Sequence, residues 1–393
     1  MLSRTRWWVT VPALLASVMT WGCSDAPTRP LTMPGAQMSA VKFWDDLATI
    51  RWNERAIHYL EARPLANGQA AASRILTYLS IAQYRAAIAA EGGSQESQHP
   101  SISAAVAGAS VGVLRGFFPL DVSTIEAQLN ADLDASGWPG DKNRDAAAGE
   151  AIGRAVAASV LAQAATDNYL VVPTGVPPLG PGFWVSSGAA IVPSLHGTRP
   201  FFLRSASQLR APPPPFGSPA FLAGLAEVRR ISDTRTPEQL ALAQRWAGGV
   251  GPFTIAALNL IADSTIRKHH RTEREAARIL AYGNAATFDS QIACWDSKLF
   301  YWYIRPVQAD PAITVVIPQP NHPSYPSGHS CVTSAIMTVL AGAFPSEREY
   351  LEGIITDAGL SRVYGGIHYR FDIEGGQAIG RAAAALALGG SLE

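Results

Sequence analysis

From residue 41 onward the chain returns apolar residues at helical spacing, and the alternating Val/Ile-rich runs that make strands are nearly absent. Val41, Trp44, Leu47 and Ile50 open the series within residues 39–62, three apart and so along one face of a helix. Residues 69–91, 101–118, 123–136 and 142–167 continue it and are rich in alanine, the residue of highest intrinsic helix propensity. An all-α fold is therefore expected, a helical bundle or bundles, with an N-terminal helical half over residues 41–168. Residues 169–219 break the pattern. "VVPTGVPPLGPGFW" and "RAPPPPFGSP" hold too much Pro and Gly for regular structure, and so long a loop in a compact protein serves a function or wraps a surface. Helices resume in a C-terminal half, 220–393: over 218–232, 236–249, 252–269, a long one near 271–305, one after residue 327, 346–366, and a last one from about His368. Thr236 is placed to cap the second of these, with Glu238 and Gln239 in its first turn.

The 48% hydrophobic and 16% charged content supplies a large core and argues against disorder. Lys+Arg and Asp+Glu both number 31, so no global field recruits nucleic acid. Any anion must be met by cations gathered locally. Residues 1–22 read as a signal peptide. "MLSRTR" carries two arginines, and "WWVTVPALLASVMTW" is an apolar stretch of 15 residues, too short for a comfortable membrane span. Gly22-Cys23 resembles the lipobox of bacterial lipoproteins, which makes Cys23 the candidate lipidation site; ordinary signal cleavage is the alternative. Residues 23–40 read as a flexible tether. The longest later apolar run, "CVTSAIMTVLAGAF", has 14 residues. The mature body is thus expected to be soluble, secreted across the inner membrane into the periplasm, and to meet a membrane only through a lipid anchor. Beyond Cys23 only Cys294 and Cys331 remain, and a disulfide and two buried free thiols are both open.

Three segments carry the chemistry. In "KLFYWYIRP", Lys298 and Arg305 are seven apart, two turns of a helix that Pro306 would end, so both are expected to point the same way. A cation near a helix C-terminus is also ordinary structure. In "NHPSYPSGHSC", residues 321–331, two prolines shape a loop that leads into a buried helix. Ser327 and Gly328 then stand at a helix N-terminus, where free N–H groups and the dipole favour an anion. His329 follows in the first turn. In "SRVYGGIHYRFD", Gly365-Gly366 ends one helix, and His368 and Asp372 lie four apart. On a helix the carboxylate would reach the imidazole, fix which nitrogen is free and raise its basicity. Asp263 and Asp296 are candidate partners for Arg362. Singly each segment has a plain structural reading. Together three cations, a hydroxyl, a backbone N–H and two histidines suit a tetrahedral oxyanion such as phosphate or vanadate.

Lys-x6-Arg-Pro, Pro-Ser-Gly-His and Ser-Arg-x5-His-x3-Asp, in that order, resemble the three-part signature of the type 2 phosphatidic acid phosphatase and vanadium haloperoxidase superfamily. The resemblance implies that Lys298, Arg305, Ser327, the Gly328 N–H and Arg362 hold the equatorial oxygens. His368 would be the axial ligand of vanadium or the nucleophile of a phosphatase. His329 would be the acid/base at the opposite apex, and Asp372 would orient His368. A haloperoxidase would use vanadate and hydrogen peroxide to oxidise halide, with His329 moving a proton and Lys298 polarising the peroxide. A soluble periplasmic acid phosphatase would need no such cofactor and would hydrolyse a phosphoester through a phosphohistidine. Trp295, three before Lys298, and His322, in a loop similar to that of algal bromoperoxidases, lean toward halide chemistry and toward bromide over chloride. Each also reads as an ordinary core aromatic or loop residue. Soluble relatives often form dimers, so a homodimer is one expected assembly.

Overall fold

The computed structural model describes residues 47–63, 68–92, 99–134, 144–169, 176–188, 195, 197–247 and 253–393. The segments expected to be a signal peptide and a tether, with Cys23, lie outside these. Among the described residues the helices are α1 (Ala48–Ala62), α2 (Gly68–Gly92), α3 (Ile102–Phe117), α4 (Val122–Asp134), α5 (Ala146–Ala165), α6 (Pro219–Thr234), α7 (Pro237–Ala247), α8 (Phe253–Lys268), α9 (Glu273–Tyr301), α10 (Pro306–Ala309), α11 (Gly328–Ala343), α12 (Arg348–Tyr364) and α13 (Arg370–Gly389). The described strands are two-residue pieces, His99–Pro100 and Arg144–Asp145, paired in parallel. The all-α expectation holds. No described helix is long and apolar enough to cross a membrane.

Helix α9 organises the rest. Between Ala276 and Lys298 only Arg278 and Trp295 are not buried. A helix apolar or small on every face needs cover on every face, and α9 packs against α2 on one side and α11 and α13 on others. One apolar core runs from Trp52 and Tyr78 in the N-terminal stretch through Leu280 to Ile336 and Ala384 in the C-terminal stretch.

Acidic residues on α9 also pin what surrounds it. Glu273 accepts the backbone N–H groups of Ala48 (2.9 Å) and Thr49 (2.7 Å), putting a carboxylate at the positive end of α1. Asp289 accepts three successive N–H groups, from Phe201 (2.8 Å), Phe202 (2.7 Å) and Leu203 (3.0 Å). Asp296 takes a two-pronged bond from Arg210, both contacts at 2.8 Å. These last two hold the described part of the Pro/Gly-rich excursion against the bundle. It is irregular apart from a short turn at Ala206–Leu209.

The C-terminal helices meet closely because small residues allow it. A Cβ added at Gly376 or Gly380 of α13 would fall 2.6 Å from the Ser327 carbonyl oxygen or 2.4 Å from that of Cys331. At that separation the Ser327 N–H donates to the Asp372 carbonyl at 2.9 Å, so the start of α11 and the start of α13 sit side by side.

Two helix ends differ from the sequence expectation. Helix α9 stops at Tyr301, because Trp302 takes a left-handed conformation (φ 48°), unusual for a bulky residue. Trp302 is held there by the Trp184 N–H on its carbonyl (2.6 Å) and by stacking of the two indoles (6.2 Å). Lys298 and Arg305 therefore do not share a helix, and Pro306 opens α10 rather than ending α9. Likewise His368 precedes α13, whose cap residue is Tyr369.

Candidate active site

Lys298, Arg305 and Arg362 are all buried. A buried cation is costly unless it is paired or hydrogen-bonded. Among the described residues none of the three forms a salt bridge with a carboxylate. Carbonyl oxygens hold them instead. Lys298 Nζ donates to Pro323 O (2.9 Å) and Ser324 O (2.8 Å). Arg305 donates from Nε to His322 O (3.0 Å) and from Nη1 to Ile367 O (2.7 Å). Arg362 donates from Nε to Ser361 Oγ (3.0 Å) and from Nη2 to Ala243 O (3.2 Å). Neither aspartate named for Arg362 is its partner: Asp263 accepts from Asn53 and Asp296 from Arg210.

His368 is fixed from both sides. Nδ1 lies 2.8 Å from Asp372 Oδ2, and Nε2 lies 3.2 Å from Arg305 Nη1. A guanidinium only donates and a carboxylate accepts, so the proton is on Nδ1 and the Nε2 lone pair faces the cations. Asp372 reaches back from the third position of α13 to the His368 ring and the Tyr369 N–H (3.1 Å). The pairing is that of a helix start, not of two side chains along one helix. The gain in basicity expected from Asp372 is outweighed. Burial first, then Arg305 and Lys298, hold His368 well below the usual histidine range, while burial pushes Asp372 up to about 6.

His329 is the second residue of α11 and only half-buried. Its Nε2 lies 3.2 Å from the Trp246 carbonyl and 3.3 Å from Thr254 Oγ1. Trp246 O can only accept, so Nε2 carries the proton and Nδ1 is the basic atom. Burial and then Arg362 hold this ring well below the usual range too. Both imidazoles are thus neutral near pH 7. Arg362 and Lys298 each depress both of them, so both rings lie within electrostatic reach of these two cations.

Ser327 caps α11, and its hydroxyl accepts from Ser330 N at 3.5 Å. The first-turn N–H groups, that of Gly328 among them, have no carbonyl within the helix to bond, and the helix dipole makes this end favourable to an anion. His322 Nδ1 is 3.0 Å from Arg305 Nη2. Its ring meets Trp295 edge to face at 4.9 Å, and Lys298 Nζ lies 6.0 Å from the Trp295 ring centre. Trp295 and His322 are half-buried, as is His329. Cys294 and Cys331 are buried free thiols.

Residues the sequence reading missed also contribute. Ser324, within the quoted loop, donates to Asp372 Oδ2 at 2.6 Å. Ala243 and Trp246, at the end of α7, supply carbonyls to Arg362 and His329. Their role is a through-space contact with no motif to mark it.

The donor set fits a tetrahedral oxyanion: buried cations, a helix N-terminus and the uncharged lone pair of His368 Nε2. Burial pulls Lys298 down to about 8. An anion beside it would raise that value, so sulfate binding should be flat below about pH 8 and weaken above it, by at most about tenfold per pH unit. Calorimetric titration at about pH 7 and about pH 9.5 checks this; equal affinities would count against Lys298 as a contact.

Residues 277–390 match the family model described as PAP2 superfamily. No curated protein matches the chain in sequence. Among solved structures, "the first bacterial vanadium dependant iodoperoxidase" is 24% identical, with a TM-score of 0.71 over 87% of this chain and 94% of that one. Bacterial vanadium-dependent chloroperoxidase is 18% identical in both its apo and holo forms, with TM-scores of 0.63 and 0.61 over 80% and 82% of this chain and 92% of each of those. The chain has the fold of these proteins, and its residues 277–390, the segment that carries the buried cations and both histidines, match the PAP2 superfamily.

Proposed function

We propose that this protein is a vanadate-dependent haloperoxidase that oxidises halide, bromide in preference to chloride, with hydrogen peroxide. The carrying observation is the His368 Nε2 lone pair held toward Arg305, one of three buried cations that form no salt bridge with a carboxylate among the described residues. Support comes from the solved structures of like fold, described as iodo- and chloroperoxidases, and from the Trp295–His322 pair beside Lys298. Export through residues 1–22, with Cys23 as anchor point, belongs to the same reading.

Lys298, Arg305, Arg362, Ser327 and the Gly328 N–H would hold the vanadate oxygens, and His368 Nε2 would bond to vanadium. When bound, vanadate supplies Lewis-acid activation of peroxide without changing its own oxidation state. The chain's own residues do the rest. Asp372 keeps the proton on His368 Nδ1, so that Nε2 remains a ligand. His329, neutral beside Arg362, takes a proton from incoming hydrogen peroxide and returns it to the departing oxygen. Lys298 offers its third N–H to that oxygen. Trp295 and His322 present an aromatic wall to a weakly hydrated anion. In sum, bromide, hydrogen peroxide and one proton give hypobromous acid and water.

The test is reconstitution of purified protein with orthovanadate, followed by assay of bromide, iodide and chloride oxidation. Vanadate-dependent bromination is the expected result. No halide oxidation, together with p-nitrophenyl phosphate hydrolysis that vanadate blocks, would assign the cage to a phosphatase working through His368.

A further inference from the structure

Ser324 lies outside the residues assigned to the oxyanion, yet it touches all three motif segments. Its N–H donates to the Tyr303 carbonyl at 2.9 Å, two residues before Arg305. Its carbonyl accepts Lys298 Nζ at 2.8 Å, and its hydroxyl donates to Asp372 Oδ2 at 2.6 Å. The side chain is fully buried.

The pattern around Asp372 is lopsided. Oδ2 gathers three donors: Ser324 Oγ at 2.6 Å, His368 Nδ1 at 2.8 Å and the Tyr369 N–H at 3.1 Å. Oδ1 is buried with no hydrogen-bond partner among the described residues. The carboxylate is therefore oriented through one oxygen. His368 and Tyr369 belong to the same turn as Asp372 and move with it. Ser324 is, among the described residues, the donor that comes from another segment. It ties the carboxylate to the loop that also carries the Lys298 contacts. A hydroxyl has one proton. Given to Asp372, it is not available to His368 Nδ1, 3.5 Å away, so Ser324 offers no competing donor there. The arrangement gives His368 Nδ1 acceptors alone, Asp372 at 2.8 Å and more distantly the Ser324 oxygen, and gives Nε2 one donor, Arg305.

We propose that Ser324 is a positioning residue: by anchoring Asp372 it holds His368 in the Nδ1-protonated tautomer and so sets the affinity of the cage for an oxyanion that bonds to Nε2. The proposal rests on the haloperoxidase reading for its ligand, vanadate, but not for its effect on the imidazole. Without the Ser324 hydroxyl, Oδ2 keeps only donors from its own turn. The carboxylate can then swing, and the ring can exchange its proton between nitrogens. The purely electrostatic part of the cage, Lys298, Arg305 and Arg362, is left as it was.

The experiment compares the wild-type chain with Ser324→Ala. Histidine-selective 15N spectra, without any anion, report the His368 tautomer, its signals assigned by difference against His368→Gln. Calorimetry then gives the affinities for orthovanadate and for sulfate, which cannot bond to the ring nitrogen. Expected are one Nδ1-protonated tautomer in the wild type, a mixture in Ser324→Ala, a loss of vanadate affinity of about 10- to 100-fold, and sulfate affinity changed by less than about threefold. A variant ring that stays wholly Nδ1-protonated overturns the proposal. So does an unchanged vanadate affinity, or vanadate and sulfate weakening in step, which would mark general damage. If the wild type binds no vanadate, the haloperoxidase reading fails while the tautomer comparison still decides the role of Ser324. Ser324→Cys, a weaker donor, gives the same comparison should the alanine variant not fold.

Discussion

Replacing His368 by alanine is expected to lower vanadate affinity by more than about 100-fold and to take halide oxidation down to the uncatalysed background. The substitution removes the nitrogen whose lone pair faces Arg305 Nη1. It leaves the other cage contacts in place: Arg305 Nη1 still has the Ile367 carbonyl, and Asp372 Oδ2 still has Ser324 and the Tyr369 N–H. Sulfate affinity should therefore survive, which separates loss of a ligand from collapse of the site. The buried carboxylate loses one donor, so unfolding stability should fall by about 1–3 kcal/mol. Vanadate and sulfate titrations, with denaturant unfolding alongside, check the three expectations. Vanadate affinity within tenfold of wild type would remove His368 from its assigned place.

His329→Ala should separate binding from turnover in the opposite sense. His329 sits in the first turn of α11 and is half-buried, with its Nε2 turned to Trp246 O and Thr254. It is not the helix cap; Ser327 is. Removing the ring thus spares the helix start and the three cations. Vanadate affinity should stay within about fivefold of wild type, whereas kcat should drop by about 10²- to 10⁴-fold, the usual worth of a placed acid/base. The loss should appear in kcat with little change in the halide KM, because the proton transfer is made on the way to the transition state. A variant with near-normal kcat would leave proton movement to some other group.

What the sequence made legible was local. The helical spacing, the Ser327 cap and the order of the three motifs all follow from residues close together in the chain. Thr236 and Gln239 exchange the cap bonds expected of them, at 3.3 and 3.1 Å. The misreadings came where a distant segment decides the backbone. Nothing in "KLFYWYIRP" announces that Trp302 will turn left-handed, because the reason is Trp184, more than a hundred residues earlier. Spacing placed His368 and Asp372 correctly as partners but in the wrong secondary structure, since a helix start brings the same two side chains together. Asp296 was a fair candidate for Arg362 by charge alone. Its real partner, Arg210, comes from the proline-rich excursion, 86 residues away in sequence. Ser324 was passed over because a serine among prolines looks like punctuation.

The enclosure of α9 on every side bears on how the cage can be inherited or borrowed. The stretch that matches the superfamily, 277–390, takes in most of that helix, yet excludes α2, which covers its inner flank. Cut free, it would lay Leu280, Phe288 and Ile292 open to water and invite self-association. The motif-bearing piece is no transplantable cassette, and whatever lineage or engineer moves this chemistry must move its helical wrapping as well.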